Sequence, residues 1–269
     1  MGNLPDFSIP GNFILTAGIL FLIVTARFFL VAGIFHLVFY VWQKEKWQPF
    51  KIGKPADRGQ FRKEMGFSFL SSIIFSLVIT ISLLLWQKGY TLVYLDIDQY
   101  GWAWLPLSLL ISFIIHEVYY YWAHRWMHRP KIFRYVHSVH HSSRIPTPWT
   151  AFSFHPLESL LISLVFPFVI MILPMHPVVI VTQLVLMTVS SVINHLDIDI
   201  FPEKISGTPL AKLMIGSEHH SRHHSRVNYN YGLHFTFLDK IHGTESPAIQ
   251  KKIPPAKPAG LSKKTEENF

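Results

Sequence analysis

Long runs of apolar residues with almost no charge decide what this chain can become. The first run, FILTAGILFLIVTARFFLVAGIFHLVFYVW, exceeds the ~20 residues that a bilayer-crossing helix needs. Further runs cover residues 67–86, 103–122, 157–173 and 178–196. The third is expected to continue as a helix through AHRWMH. The fourth and fifth are joined by PMHP, whose two prolines end one helix and permit a sharp turn. Half of the chain is hydrophobic and only 15% is charged, which is a membrane composition rather than that of a soluble domain. The expectation is an all-α integral membrane protein with about four to five transmembrane or hairpin helices. The first run has no basic segment before it and no small-residue cleavage site, so it reads as a retained span (residues 12–42) rather than a signal peptide. Arg27 lies within it and must snorkel to the surface or face protein.

Charge between the runs gives an orientation. Residues 43–66 carry Lys44, Lys46, Lys51, Lys54, Arg58, Arg62 and Lys63. Residues 87–102 carry Lys88 against Asp96 and Asp98, and residues 123–156 carry Arg125, Arg129, Lys131, Arg134 and Arg144 with no acid. The positive-inside rule places the first and third of these segments in the cytoplasm. The N-terminus is then outside and the tail after His242 inside. The net charge of +8 thus reflects topology and anionic headgroups rather than nucleic acid. Three regions are expected: an N-terminal transmembrane part (1–102) with its basic loop (43–66), a catalytic part (103–243), and a Pro- and Lys-rich tail (244–269) that reads as disordered and solvated.

The polar residues that stand out are imidazoles. The chain has 16 histidines and no cysteine. Thiolate metal sites and disulfides are therefore excluded, and a metal would take nitrogen and oxygen ligands. His124 and His128 are four apart and share a helix face. His137, His140 and His141 are spaced i, i+3, i+4, and His220, His223 and His224 repeat that spacing. The orientation, argued without any histidine, puts these clusters, His155 and His195 on one cytoplasmic side, as a histidine-rich cap. Eight convergent imidazoles exceed the needs of one metal and fit two. Carboxylates are scarce nearby, which separates this pattern from soluble carboxylate-bridged iron bundles. The blander reading is pH sensing or headgroup contact by surface histidines. Three clusters on one side, two with matching spacing, weigh against it.

The motifs HxxxH, HxxHH and a final HxxHH, interleaved with apolar spans, resemble the fatty acid hydroxylase / sterol desaturase superfamily. The resemblance runs from about residue 111 to 243 and includes EVYYYWAHRWMH, HSVHHSSRIPTPWTAFSFHPLE, Asn194–His195 and HHSRHHSRVNYNYGLHFTFLDKIHGT. PTPWTAFSFHPLE and NYNYG are most similar to the sterol C5-desaturase branch. The resemblance implies a membrane-bound non-haem centre of two Fe ions, with Zn or another metal as an isolated form. It would use O2 as co-substrate to hydroxylate or desaturate a lipid C–H site. The implied ligands are His124, His128, His137, His140, His141, His195, His220, His223 and His224, with His219 and His155 in second rank. Glu117 and Asn194 are implied supports, Glu117 holding the N–H of a ligand imidazole or an arginine such as Arg125 or Arg222. His116 fits no motif and reads as a core polar residue. His36, His176, His234 and His242 read as structural or solvated.

Tyr119, Tyr120, Tyr121, Trp122, Trp126 and Trp149 could line a lipid passage, or form an interfacial belt. NYNYG (228–232) reads as a turn in which Gly232 tolerates a positive φ and holds the last cluster. No haem, flavin or nicotinamide motif is visible, so an external electron donor is implied, cytochrome b5-like or ferredoxin-like. The setting is a bacterial inner membrane or an endoplasmic reticulum. A metal-handling membrane protein and a catalytically silent lipid binder are the competing classes. The first would need polar residues at the middle of several spans, which are mostly missing, and the intact histidine set argues against the second.

Overall fold

The computed structural model describes residues 4–53, 58–201 and 208–247. The tail from residue 248 onward, where most of the disordered end was expected, lies outside the described residues.

Proline sets the start of five α-helices. α1 (Pro10–His36) begins on a proline, whose missing N–H has no helical partner to lose. It runs on as a wider turn, Leu37–Trp42. α2 (Arg58–Gln87) returns across the same thickness. It ends where Gly89, at φ 79°, lets the Tyr90 N–H reach back to the Leu85 carbonyl at 2.9 Å. α3 (Trp104–Met127) is one helix through AHRWMH, as the sequence predicts. α4 (Pro130–Val136) turns away from it at a proline. α5 (Pro156–Ser163) and α6 (Val165–Ile172) form a broken apolar pair. Pro167, just inside α6, cannot supply the N–H that would join the two. α7 (Pro177–Asn194) follows, with His176 as its cap: the His176 Nδ1 accepts from the Val178 N–H at 3.2 Å. The short helices α8 (Pro209–Leu213), α9 (Ser217–Ser225) and α10 (Phe237–Ile241) complete the described chain.

Three stretches are long and apolar enough to cross a membrane: Pro10–Trp42, Gly59–Gln87 and Pro177–Asn194. The pair Pro156–Ile172 is shorter, and α3 is interrupted by buried polar residues including Ser112, His116 and Glu117. The outer faces are apolar: Ile14, Leu22 and Leu30 of α1 are more than 60% exposed, as expected of side chains that meet lipid. The inner face of α2 is small and polar instead. Ser68, Ser72, Ser76 and Thr80 recur every fourth residue and are all buried, which permits close helix approach. Ser72 and Thr80 donate to the carbonyls four residues back, so their hydroxyls are satisfied within the helix. On α1, Val24, Phe28 and Ala32 pack against Ala151, Phe152 and Val192, with the Phe28 and Phe152 rings stacked 4.4 Å apart.

Two rims result. At one, the start of α1 meets the end of α2 through Phe7 and Gln87, and the start of α3 meets the α6–α7 turn through the Trp104 Nε1–H and the Pro174 carbonyl. At the other, the chain after α1 bonds to the chain after α7: the Ile52 N–H donates to the Asp197 carbonyl and the Asp199 N–H to the Phe50 carbonyl, both at 3.1 Å. The C-terminal ends of α1, α3 and α7 and the N-terminal end of α2 therefore share one rim. All the histidine motifs gather there.

Candidate metal centre

The rim is built by fixing loops to buried carboxylates. Glu64 on α2 accepts from the hydroxyls of Ser143, Thr147 and Thr150 at 2.6–2.8 Å, pinning the loop that leads into Pro148–Phe152. Asp197 accepts from the Gly53 N–H at 2.9 Å and the Ser221 hydroxyl at 3.0 Å, joining the end of α7 to the basic loop and to α9. Burial pushes the Asp197 carboxyl up to about 6, with those two donors pulling it back. Asp239 accepts from the N–H groups of Tyr231 and Gly232 and holds the turn after α9.

These supports bring the nine motif histidines into two groups: His124, His128, His137, His141 and His223, and His140, His195, His220 and His224. Within each group one ring nitrogen per residue lies within 4.8 Å of the others. Neither HxxHH motif stays together. His137 and His141 enter the first group and His140 the second, while His220 and His224 enter the second and His223 the first. Each motif thus bridges the two groups, a finer division than the shared-face expectation.

The outward nitrogens settle the tautomers. The Nδ1 of His124 lies 2.8 Å from the Tyr231 carbonyl, that of His223 2.6 Å from the Tyr229 carbonyl, and that of His195 2.7 Å from the Ser191 carbonyl. His140 Nδ1 faces the Ser153 carbonyl at 3.3 Å, and His137 Nδ1 faces the Glu158 carboxylate at 2.7 Å. A carbonyl only accepts, so those four Nδ1 atoms carry the proton and their Nε2 atoms a bare lone pair, and His137 matches them when Glu158 is ionised. Those lone pairs point at one another. His124 and His137 approach to 3.0 Å through Nε2, and His140 and His195 to 3.3 Å. Two lone pairs make no hydrogen bond, so the arrangement calls for a cation between them. Burial, reinforced by the neighbouring imidazoles, holds His137, His140, His141, His220 and His224 well below the usual imidazole range. They are neutral at pH 7, the form a metal requires. The donor set therefore fits two metal ions with imidazole ligands.

The second-rank residues fall outside both groups. His155 caps α5, its Nδ1 accepting from the Leu157 N–H at 3.3 Å. His219 adjoins His220 in sequence, but it faces a separate surface cleft beside Arg222. Glu117 holds neither an imidazole nor an arginine, contrary to expectation. It accepts from the N–H groups of Leu233 and His234 at 2.9 and 2.8 Å, because the chain after α9 lies across α3 at that level. Asn194 performs the matching task by donating to the Leu233 carbonyl at 2.7 Å. The positive φ in NYNYG belongs to Asn230 (60°), not to Gly232. Asn tolerates that conformation, and its side-chain amide also donates to the His219 carbonyl at 2.8 Å. Gly232 is required for space: a Cβ there would meet the Phe235 carbonyl oxygen at 2.5 Å. Among the remaining histidines, His116 and His234 are buried beside one another and His242 stacks on Tyr121.

Sequence reasoning passed over Glu158, although among the described residues it is the one carboxylate that bonds a motif histidine. Its position three residues into an apolar helix was the available signal, since an acid there needs a partner.

An apolar cavity opens beside the second group. Phe75, Phe152, Phe154, Val165 and Met187 line it, and His195 forms part of its wall. Its empty space, counted out through the mouth, is about 1070 Å³. Tyr120 is the one member of the proposed aromatic passage that lines it. Tyr119 donates to the Leu161 carbonyl, Tyr121 is buried against Thr244, Trp149 packs on α1, and Trp122 and Trp126 are exposed.

The family model for fatty acid hydroxylase matches residues 109–244 of the chain. A Delta(7)-sterol 5(6)-desaturase of Gibberella zeae is 30% identical over 197 residues, which cover 73% of this chain and 59% of the relative. A second such desaturase, of Aspergillus fumigatus, is 31% identical over 69% of this chain and 62% of its own length. Lathosterol oxidase of Mus musculus is 31% identical over 79% of this chain and 71% of its own length. The match thus spans less than two thirds of the fungal relatives. No solved structure matches the chain.

Proposed function

The chain belongs to the fatty acid hydroxylase family, and on that premise we propose that it is an O2-dependent oxidase of a membrane lipid, acting through two iron ions. His124, His128, His137, His141 and His223 would hold one ion, and His140, His195, His220 and His224 the other. Two iron ions, when bound, supply O2 activation and the removal of hydrogen from an unactivated C–H bond. The reading rests above all on His195, which belongs to the second group and also forms part of the wall of the apolar cavity.

The chain's own residues supply position and exclusion. Tyr231, Tyr229, Ser191 and Ser153 hold four imidazoles by their Nδ1–H through backbone carbonyls, which are rigid acceptors and cannot be protonated. Glu158 holds the fifth and raises its basicity. The aromatic and aliphatic walls of the cavity keep water from the lipid carbon and take up its hydrocarbon body. The substrate is a lipid of sterol or fatty-acyl type, in keeping with the sterol relatives. The catalytic region is residues 103–243. The histidine rim faces the cytoplasm, where an external cytochrome b5-like or ferredoxin-like donor delivers electrons.

The test is expression of the full chain in a membrane that lacks such an enzyme, followed by mass spectrometry of the lipids. A gain of one oxygen identifies hydroxylation, and a loss of two hydrogens identifies desaturation. Lipids unchanged by an iron-loaded, correctly inserted chain with a working donor would refute the proposal.

A further inference from the structure

The cavity that reaches His195 also holds a cation. Arg27 lies near the middle of the 33-residue apolar stretch Pro10–Trp42 and lines the cavity together with Ile79, Phe152, Gln183 and Thr188. Its Nε is buried and has no hydrogen-bond partner. No ion pair involves it among the described residues, and no Asp or Glu lines the cavity. The one side-chain amide in the lining is already engaged, since the Gln183 Oε1 accepts from the Ser112 hydroxyl at 2.9 Å. An arginine at this depth without a protein partner is costly, and such residues mark ligand or ion pathways. A purely structural role would favour a leucine here, as on the exposed faces of the same helix.

A guanidinium donates through five N–H groups and accepts nothing. Whatever satisfies it must present an acceptor, and a molecule inside the cavity that Arg27 lines can bring one. Resting on the lipid-oxidase reading, we infer that Arg27 is a specificity-determining residue that binds an acceptor oxygen of the lipid, a hydroxyl or a carboxylate. That contact fixes how far the lipid advances along the cavity and therefore which carbon arrives at the His195 end. Lipids without an oxygen would leave the guanidinium desolvated and unpaired, and are selected against for that reason.

The experiment measures equilibrium binding to the purified full chain at a fixed concentration of non-ionic detergent. Two ligand series are used: stearate, stearyl alcohol and octadecane, and cholestanol against cholestane. The oxygenated member of at least one series is expected to bind about tenfold or more tightly than its hydrocarbon, the scale of one hydrogen bond to a charged donor. Arg27→Gln should bring the pair to within about twofold, and Arg27→Lys should retain part of the preference, because Lys keeps the charge but not the planar fork. Within the first series, the tighter of acid and alcohol identifies the source of the oxygen. Equal binding of hydrocarbon and oxygenated lipid in both series, or a preference that survives Arg27→Gln, overturns the proposal. The wild-type ranking decides even if Arg27→Gln fails to insert, and metal content and thermal midpoint are measured for each variant. Binding is read without turnover, so a chain that carries no iron would defeat the oxidase reading and still leave the ranking to judge Arg27.

Discussion

The His137 imidazole stands between two acceptor-type partners, the Glu158 carboxylate 2.7 Å from its Nδ1 and the Nε2 of His124 3.0 Å from its Nε2. Glu158 thereby makes the inner nitrogen of His137 a ligand. Both side chains are fully buried, so neither can exchange this contact for water.

Replacement of Glu158 by Ala is accordingly expected to weaken metal binding to the first histidine group by about 10–100-fold, the usual effect of removing such an outer partner. Glu158→Gln keeps an acceptor oxygen without the charge and should fall between Ala and wild type. Competition with a chelator of known affinity, followed by metal analysis, measures both. Equal retention by all three proteins would mean that Glu158 serves packing alone.

The division of the histidines into five and four makes a prediction of stoichiometry. Each group has at least four imidazoles and can lose its ion without dismantling the other. His220→Ala, which leaves three imidazoles in its group, should lower the metal content from about two ions per chain to about one, whereas His128→Ala, which leaves four, should weaken the first group's affinity without emptying it. Loss of both ions in either single variant would show the groups to be one cooperative site. Unaltered content in His220→Ala, or unaltered affinity in His128→Ala, would remove that residue from the ligand set.

Much of this arrangement could be read in the sequence, for reasons that differ by residue. His124 and His128 share a group because they lie one turn apart on the long helix α3, and helical spacing is local information. The gathering of all motifs at one rim followed from counting spans and loop charge. The split of the adjacent pair His140 and His141 could not be read. They sit in a tight turn, His140–Ser142, whose direction the spacing does not set, and adjacent residues diverge even in a regular helix, as His223 and His224 do on α9. The targets of Glu117 were equally hidden, because Leu233 and His234 are far away in sequence and are reached through the backbone, which has no residue signature. The five tautomer-setting contacts have the same character: four of them use backbone carbonyls.

Gly232 tests the turn that supplies one of those carbonyls. A Cβ at this position would also meet Ile215 Cδ1 at 2.9 Å and Glu117 Oε1 at 3.0 Å, and the 2.5 Å approach to the Phe235 carbonyl involves backbone that cannot swing aside. Gly232→Ala should displace Tyr231 and Leu233, which bond His124 and Glu117 respectively. The expected outcome is a destabilisation of about 1–3 kcal/mol, typical of overpacking, together with preferential loss of metal from the first group. A thermal melt in detergent and metal analysis of the same sample check both parts. Gly243, with open space around its Cα, provides a contrast: Gly243→Asn should be mild, since Asn accepts the positive φ of 63° found there.

Glu64 offers the most stringent separation of support from ligation, because it touches no histidine. Its carboxylate oxygens take three hydroxyl donors, Ser143 and Thr150 on Oε1 and Thr147 on Oε2, and its side chain is 1% exposed. Glu64→Ala leaves these buried hydroxyls without their acceptor, at about 1–3 kcal/mol for each that finds no substitute. A net loss of about 3 kcal/mol is expected, since partial relaxation will satisfy some of them. The pinned loop continues into Ser153, whose carbonyl sets the tautomer of His140. The second group should therefore lose metal affinity while the first retains it, although Glu64 lies in neither. Glu64→Gln keeps one acceptor oxygen and should give a smaller change in both measurements. A melt and a metal titration on the two variants decide the matter: a stability loss with both groups at full affinity would confine Glu64 to the fold.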